Sequence, residues 1–133
     1  MFFQQDSERE LIDLLGRALD SPDLVGAFLP ERWTPTKGTF VTVQSDGTPV
    51  TSRSWTRETL RVTVHGAVKS QVSKVMRAID AFILSPWQGH FLSVKPGVGI
   101  LTMPDSRLGG HISSATYRVA QPRIKIGGKT NGS

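Results

Sequence analysis

Leu60-Arg61-Val62-Thr63-Val64-His65-Gly66, followed shortly by Ser70-Gln71-Val72-Ser73-Lys74-Val75-Met76-Arg77-Ala78-Ile79-Asp80-Ala81-Phe82-Ile83-Leu84, decides the fold of this chain. In the first run Leu60, Val62 and Val64 face one way and Arg61, Thr63 and His65 the other, the period-two pattern of a strand with one dry face. The whole stretch from Trp55 to Gly66 is read as that strand. In the second run Val72, Val75, Met76, Ile79, Phe82 and Ile83 recur at helical spacing, with Lys69, Lys74, Arg77 and Asp80 elsewhere on the surface. Gly66 ends the strand, a residue at or near Ser70 opens the helix, and Ser85-Pro86 closes it, because the residue before a proline disfavours helical backbone.

Working outward, an earlier helix is predicted over residues 7–20. Ser7 and Glu10 have capping-box spacing, and Leu11, Ile12, Leu14, Leu15, Ala18 and Leu19 form its apolar stripe. Acids crowd its first turn, where the helix dipole favours them. Gly16 inside it costs about 1 kcal/mol in propensity and points to a close packing contact. Pro30 to Pro35 is turn-rich. Phe40–Val43 reads as a strand, Ser45-Asp46-Gly47 as a hairpin turn, and the region of Val50 as the returning strand. Trp87 to Gly110 is read as loops and short β pieces, with candidate strands at Phe91–Val94 and Ile100–Met103. Ala115–Ala120 and Arg123–Ile126 are read as strand, broken by Pro122, and Gly127–Ser133 as a polar tail. The resulting expectation is one α+β domain over residues 1–126: a mainly antiparallel sheet with two amphipathic helices packed on one face.

The chain has 133 residues, 38% of them apolar and 20% charged, enough for a single core of modest size. It holds no cysteine, which excludes disulfide scaffolds, thiolate metal sites and cysteine nucleophiles. No apolar run reaches the roughly 18–20 residues that span a bilayer. The opening Met1-Phe2-Phe3-Gln4-Gln5-Asp6 turns acidic at once and does not read as a signal peptide; synthesis in the cytoplasm is the expectation. The net charge of +5 is unevenly spread. Residues 1–31 carry seven acids and two bases, and the remainder carries 14 bases and four acids. Two readings follow: an acidic element meeting a basic one on a neighbouring copy, or two solvated faces of a monomer.

Catalytic patterns are sparse. His65, His90 and His111 match no metal-ligand spacing and read as surface residues. No Gly-x-Ser-x-Gly elbow presents a serine. Gly97-Val98-Gly99 precedes no helix that would receive a phosphate. Gly127-Gly128-Lys129-Thr130 lacks the upstream glycine of a phosphate-binding loop, since Arg123 stands there. Asn131-Gly132-Ser133 is a glycosylation sequon read as chance. The chain is expected not to be an enzyme and to need no cofactor or metal. Trp33, Trp55 and Trp87 lie at element edges, where a tryptophan caps a core or anchors a partner.

The order of elements is similar to that of the tail terminator proteins of long-tailed bacteriophages, particularly phages of actinobacteria. The likeness covers about residues 7–126: the opening helix, the hairpin around Ser45-Asp46-Gly47, the strand Leu60–Gly66, the helix Val75–Leu84, a loop-rich stretch and the late strand Ala115-Thr116-Tyr117-Arg118-Val119-Ala120. The resemblance implies a virion protein that forms a six-fold ring on the head-proximal end of the tail tube. Such a ring ends tube polymerisation and docks head-completion proteins, and DNA passes through its lumen without specific binding. A ring built by rotation needs two different, complementary surfaces on each subunit. The expected interface residues are Glu8, Asp13 and Asp20 of the acidic segment, with Trp33, Arg53, Arg57, Trp87, Arg107, Arg123 and Lys125. The loop 87–114 and the tail 121–133 are expected to touch partners along the axis. Because many phosphate–cation contacts would grip DNA, most bases are expected at interfaces or on the outside rather than in the hole. The rival readings are a head-closure or stopper protein of the same neck, and a small basic nucleic-acid-binding domain.

Overall fold

A computed structural model describes the backbone of residues 2–3, 7–46, 50–51, 55–85, 93–122 and 124–125, and the side chains of 7–46, 57–85 and 93–120. In chain order the elements are β1 (Phe2–Phe3), α1 (Ser7–Ala18), β2 (Val25–Gly26), β3 (Phe40–Ser45), β4 (Val50–Thr51), β5 (Trp55–Gly66), α2 (Lys69–Ile83), β6 (Ser93–Pro96), β7 (Leu101–Pro104), β8 (His111–Pro122) and β9 (Ile124–Lys125). Short 3-10 turns lie at Pro22–Leu24 and Pro35–Lys37.

The helix predicted to Asp20 ends two residues earlier, and the reason is visible in the backbone. Asp20 adopts a left-handed φ of 54°. Its N–H bonds to the Arg17 carbonyl at 3.1 Å and the Ser21 N–H to the Gly16 carbonyl at 3.0 Å, the paired bonds of a Schellman stop. Gly16 is the close contact its sequence position suggested: a Cβ there would lie 3.1 Å from the Pro22 Cα. At the other end the helix already includes Ser7, so the capping position falls on Asp6, outside the described residues. The Ser45 backbone N–H donates to the Glu8 carboxylate, which ties this first turn to β3.

The main sheet runs β2-β3-β5-β8-β6, with β4 also on β5 and β7 also on β8. Every pairing in it is antiparallel except β2 with β3. The hairpin expected at Ser45-Asp46-Gly47 does not form: Val50–Thr51 pairs with β5 and not with Phe40–Ser45. Phe40–Ser45 and Val50–Thr51 both pair antiparallel with β5, whose other edge is taken along its length by β8. They therefore run the same way along one edge, and the chain does not reverse at Asp46. That residue is held on the ladder: its N–H bonds to the Thr59 carbonyl at 2.7 Å and its carboxylate to Arg61 at 3.0 Å. β6 and β7 form a matching interrupted row along β8. There Gly97 lets the chain press against Thr116, because a Cβ at Gly97 would fall 2.4 Å from the Thr116 Oγ1.

The late strand is longer than its sequence suggested, starting at His111 rather than Ala115. Ser113, in the added first half, is fully buried with its Oγ 2.8 Å from the Thr102 Oγ1 of β7. The expected strands at Phe91–Val94 and Ile100–Met103 are found shifted, at Ser93–Pro96 and Leu101–Pro104. Ile124–Lys125 pairs with Phe2–Phe3 in a separate two-stranded ladder. Gly127–Ser133 lies outside the described residues.

The fold is α+β, and both helices pack on one face of the sheet. Leu11, Ile12 and Leu15 of α1 and Val72, Met76, Ile79 and Ile83 of α2 meet Val41, Val43, Leu60, Val62, Val64, Ala115, Tyr117 and Val119 in one cluster. Full burial of each large aliphatic side chain contributes roughly 1.5–3 kcal/mol. The Tyr117 phenol within this layer is satisfied, since its hydroxyl donates to Asp80 of α2 at 2.6 Å. Burial and that bond push the Tyr117 phenol far above its ordinary range.

Candidate functional site

Strand alternation that turns Leu60 and Val62 toward the helices turns Arg57, Thr59 and Arg61 away from them. Register then decides which cations meet. Arg118 of β8 lies opposite Thr59 of β5 on one side and Lys95 of β6 on the other, and Arg57 lies opposite Ala120. Arg118 is thus directly beside Lys95 and diagonal to both Arg57 and Arg61, within about 5–8 Å cross-strand reach. All four are exposed. Arg61 is paired with Asp46 at 3.0 Å, and the Arg118 guanidinium reaches the Pro96 carbonyl at 3.4 Å. A recess of about 140 Å³ opens among Arg57, Ser93, Lys95, Arg118, Val119 and Ala120. Like charges so close repel one another, and they generate a positive potential that attracts anionic groups.

The opposite end of this outer face is closed by the chain itself. Trp33 is buried, its ring edge-on to His65 at a centroid distance of 6.0 Å and 74°. Arg32, just before it, has a left-handed φ of 62°, and Gln44 of β3 donates to the Ala27 carbonyl at 3.0 Å. His65, read from sequence as a surface residue, is partly covered here, with Nε2 3.1 Å from the Thr42 hydroxyl. Its Nδ1 finds no partner among the described residues, and burial lowers its pKa below the usual histidine value, against an opposing pull from Asp105. His111, also read as a surface residue, is half-buried at the start of β8, after the chain turns through residues 105–110. In that turn the Asp105 carboxylate accepts N–H bonds from Arg107 at 2.9 Å and Leu108 at 3.3 Å. His90 lies outside the described residues.

The residues singled out from sequence do not gather in one place. Glu8 is bonded to β3, Asp13 pairs with Arg9 at 3.2 Å on the exposed side of α1, and Asp20 stops that helix. Trp33 caps the outer face, and Arg107 sits in the turn between β7 and β8. Arg57 alone belongs to the cationic group. Arg53, Trp87 and Arg123 lie outside the described residues, and only the backbone of Lys125 is described. Arg61, Lys95 and Arg118 were missed. The parity of Arg61 was legible, but its grouping with Lys95 and Arg118 depends on pairing between distant strands, such as that of Thr59 with Arg118.

Among the described residues no group of three or more His, Asp or Glu side chains is placed to hold a metal ion. No described helix is long and apolar enough to cross a membrane. No family model matches the chain, and no curated protein matches it.

Proposed function

We propose that the chain is a structural subunit that acts through its outer surfaces, as a ring-forming terminator at the head-proximal end of a phage tail tube. The observation that supports this reading is the division of the sheet. Both helices lie on one face, while the other bears Arg57, Lys95 and Arg118 around a recess, with Arg61 exposed on the same face. A cationic face of this kind suits a flat, acidic surface on a stacked neighbour, such as the tube protein below or a head-completion protein above. Turned toward such a partner, the cations leave DNA in the lumen ungripped. The subunit needs no bond-making step for this role: it ends polymerisation by occupying the last ring position.

Purified protein mixed with tail tubes and viewed by negative stain should form a ring at one end of each tube and halt further tube growth. Absence of end binding overturns the reading. The same cations support one second reading, a nucleic-acid-binding domain. That reading requires DNA binding that weakens steeply with salt and proceeds without self-association.

A further inference from the structure

β2 and β3 are parallel neighbours, so residues 27–39 between them must carry the chain back along the sheet before β3 begins. The helices hold the inner face, and this return runs over the outer one. Gln44 donates to the Ala27 carbonyl at 3.0 Å, and Trp33 lies against His65. Little else fixes the segment. Trp33 is its one buried residue, whereas Phe28 is 75% exposed. Its internal backbone bonds are local turns, from the Trp33 N–H to Pro30 and from the Lys37 and Gly38 N–H groups to Thr34 and Pro35. Pro35 adds a contact just before β8, where a Cβ on Gly110 would lie 3.1 Å from its ring. Arg32, next to Trp33, holds its left-handed φ of 62° at a steric cost that release of Trp33 relieves. The segment rests on Trp33, and Trp33 rests on His65.

The surroundings of His65 suit a neutral ring. Nε2 is 3.1 Å from the Thr42 hydroxyl, while Nδ1 is sealed from solvent with no partner among the described residues. An imidazolium carries N–H donors on both nitrogens, so the covered site would leave one charged donor facing no acceptor. Burial accordingly holds the group below its usual value of 6.5. The charges around it do not reverse this. Asp105 pulls the other way, but its carboxylate already accepts the Arg107 and Leu108 N–H groups, and the Arg107 charge opposes protonation. The covering segment brings Glu31, Arg32 and Lys37, all exposed. β2 and β3 carry no charged residue, and Arg61 of β5 is engaged by Asp46. On β8 the outer-face row runs through Ile112, Ser114 and Thr116 before it reaches Arg118, and His111, opposite Gly66, belongs to the helix side.

We propose that residues 27–39 form an acid-released strap: a proton on His65 frees Trp33 and opens this end of the outer face, while both helices stay packed on the inner one. The device does not depend on the assembly reading above. Opening exposes the Trp33 ring, together with His65 and Phe40, which lies opposite it in register and is buried in the closed state. The sign follows from which state accepts the proton. His65 protonates at its usual value only when the strap is open, so closure is at full strength above about pH 6.5 and is lost as pH falls below it. The inner face contains no such group, since its buried titratable side chain, Tyr117, stays neutral throughout this range.

The test labels the tryptophans of the full chain with heavy nitrogen and follows the indole N–H signal of Trp33 by NMR, assigned through Trp33→Phe. The pH is lowered from about 7.5 to about 4.5, across the histidine range. The signal is expected to move reversibly to the position of a solvent-exposed indole with a midpoint below 6.5, while the helical circular dichroism stays constant. His65→Gln keeps a partner for Thr42 and His65→Phe keeps a ring of similar size, and neither can take the proton. In both, the Trp33 signal is expected not to respond to pH. His111→Gln, on the other face, is expected to keep the wild-type transition. A wild-type Trp33 signal that stays fixed across the range overturns the proposal. So does a transition that persists in either His65 variant, one that disappears in His111→Gln, or loss of the helical signal at the same midpoint.

Discussion

The two faces of the sheet are built from the same strands and obey opposite rules. On the inner face Leu60, Val62 and Val64 of β5 are fully buried under the helices, whereas Arg57 and Arg61 of that strand stand exposed on the outer one. The inner residues are fixed by packing, where removal of a few methylenes is felt. The outer cations have no such reason to be where they are, since exposed ion pairs contribute only about 0–1 kcal/mol. The inner face is held by packing, while the outer face displays charge that packing does not require, and experiment can break that contrast.

The strongest challenge is Leu60→Ala on the inner face. It should lower unfolding free energy by about 2–5 kcal/mol in urea denaturation, through lost burial and the cavity left behind. A loss below about 1 kcal/mol would show that this layer is not the core. Gly97→Ala comes next, at about 1–3 kcal/mol, because the new Cβ meets Thr116 where its hydroxyl accepts the Val98 N–H at 2.6 Å. A stability unchanged from wild type would mean that the β6–β7 row yields freely.

Tyr117→Phe should cost about 1 kcal/mol by removing the bond to Asp80. Tyr117 is the chain's single tyrosine, so its ionisation can be followed by ultraviolet absorbance without interference from another. With its folded pKa raised, its contribution is intact below the ordinary tyrosine value near 10 and is lost as pH climbs above it. Phenolate should therefore appear only with unfolding at alkaline pH, and ionisation of a folded chain near pH 10 would contradict the burial described. The smallest stability effect, within about 0.5 kcal/mol, is expected for Lys95→Glu combined with Arg118→Glu. The same pair should elute from a phosphate-bearing resin at distinctly lower salt than wild type. Unchanged retention would remove the outer face as the cationic surface.

Much of the inner face was legible in the sequence, since Leu60, Val62 and Val64 alternate cleanly and the α2 stripe recurs at helical spacing. Periodicity reports burial because burial is what selects apolar residues. The outer face was less legible. Asp46-Gly47 has the composition of a reversal, but backbone and side-chain bonds tie Asp46 to β5, and Val50–Thr51 pairs further along that same strand. The first half of β8 was hidden because Ser113 satisfies its hydroxyl against Thr102, an arrangement that needs the partner strand in place. The cationic group was invisible for the same reason: register, not local pattern, assembles it.

The interrupted margins have a consequence for storage in solution. The outermost rows offer only short runs, two residues in β2 and four each in β6 and β7, with a break between the last two. Among the described residues, a stranger's extended segment finds no long straight rail of free N–H and C=O groups at these margins, which is what edge-to-edge pairing requires. Short margins of this kind give strand addition between crowded copies little to build on.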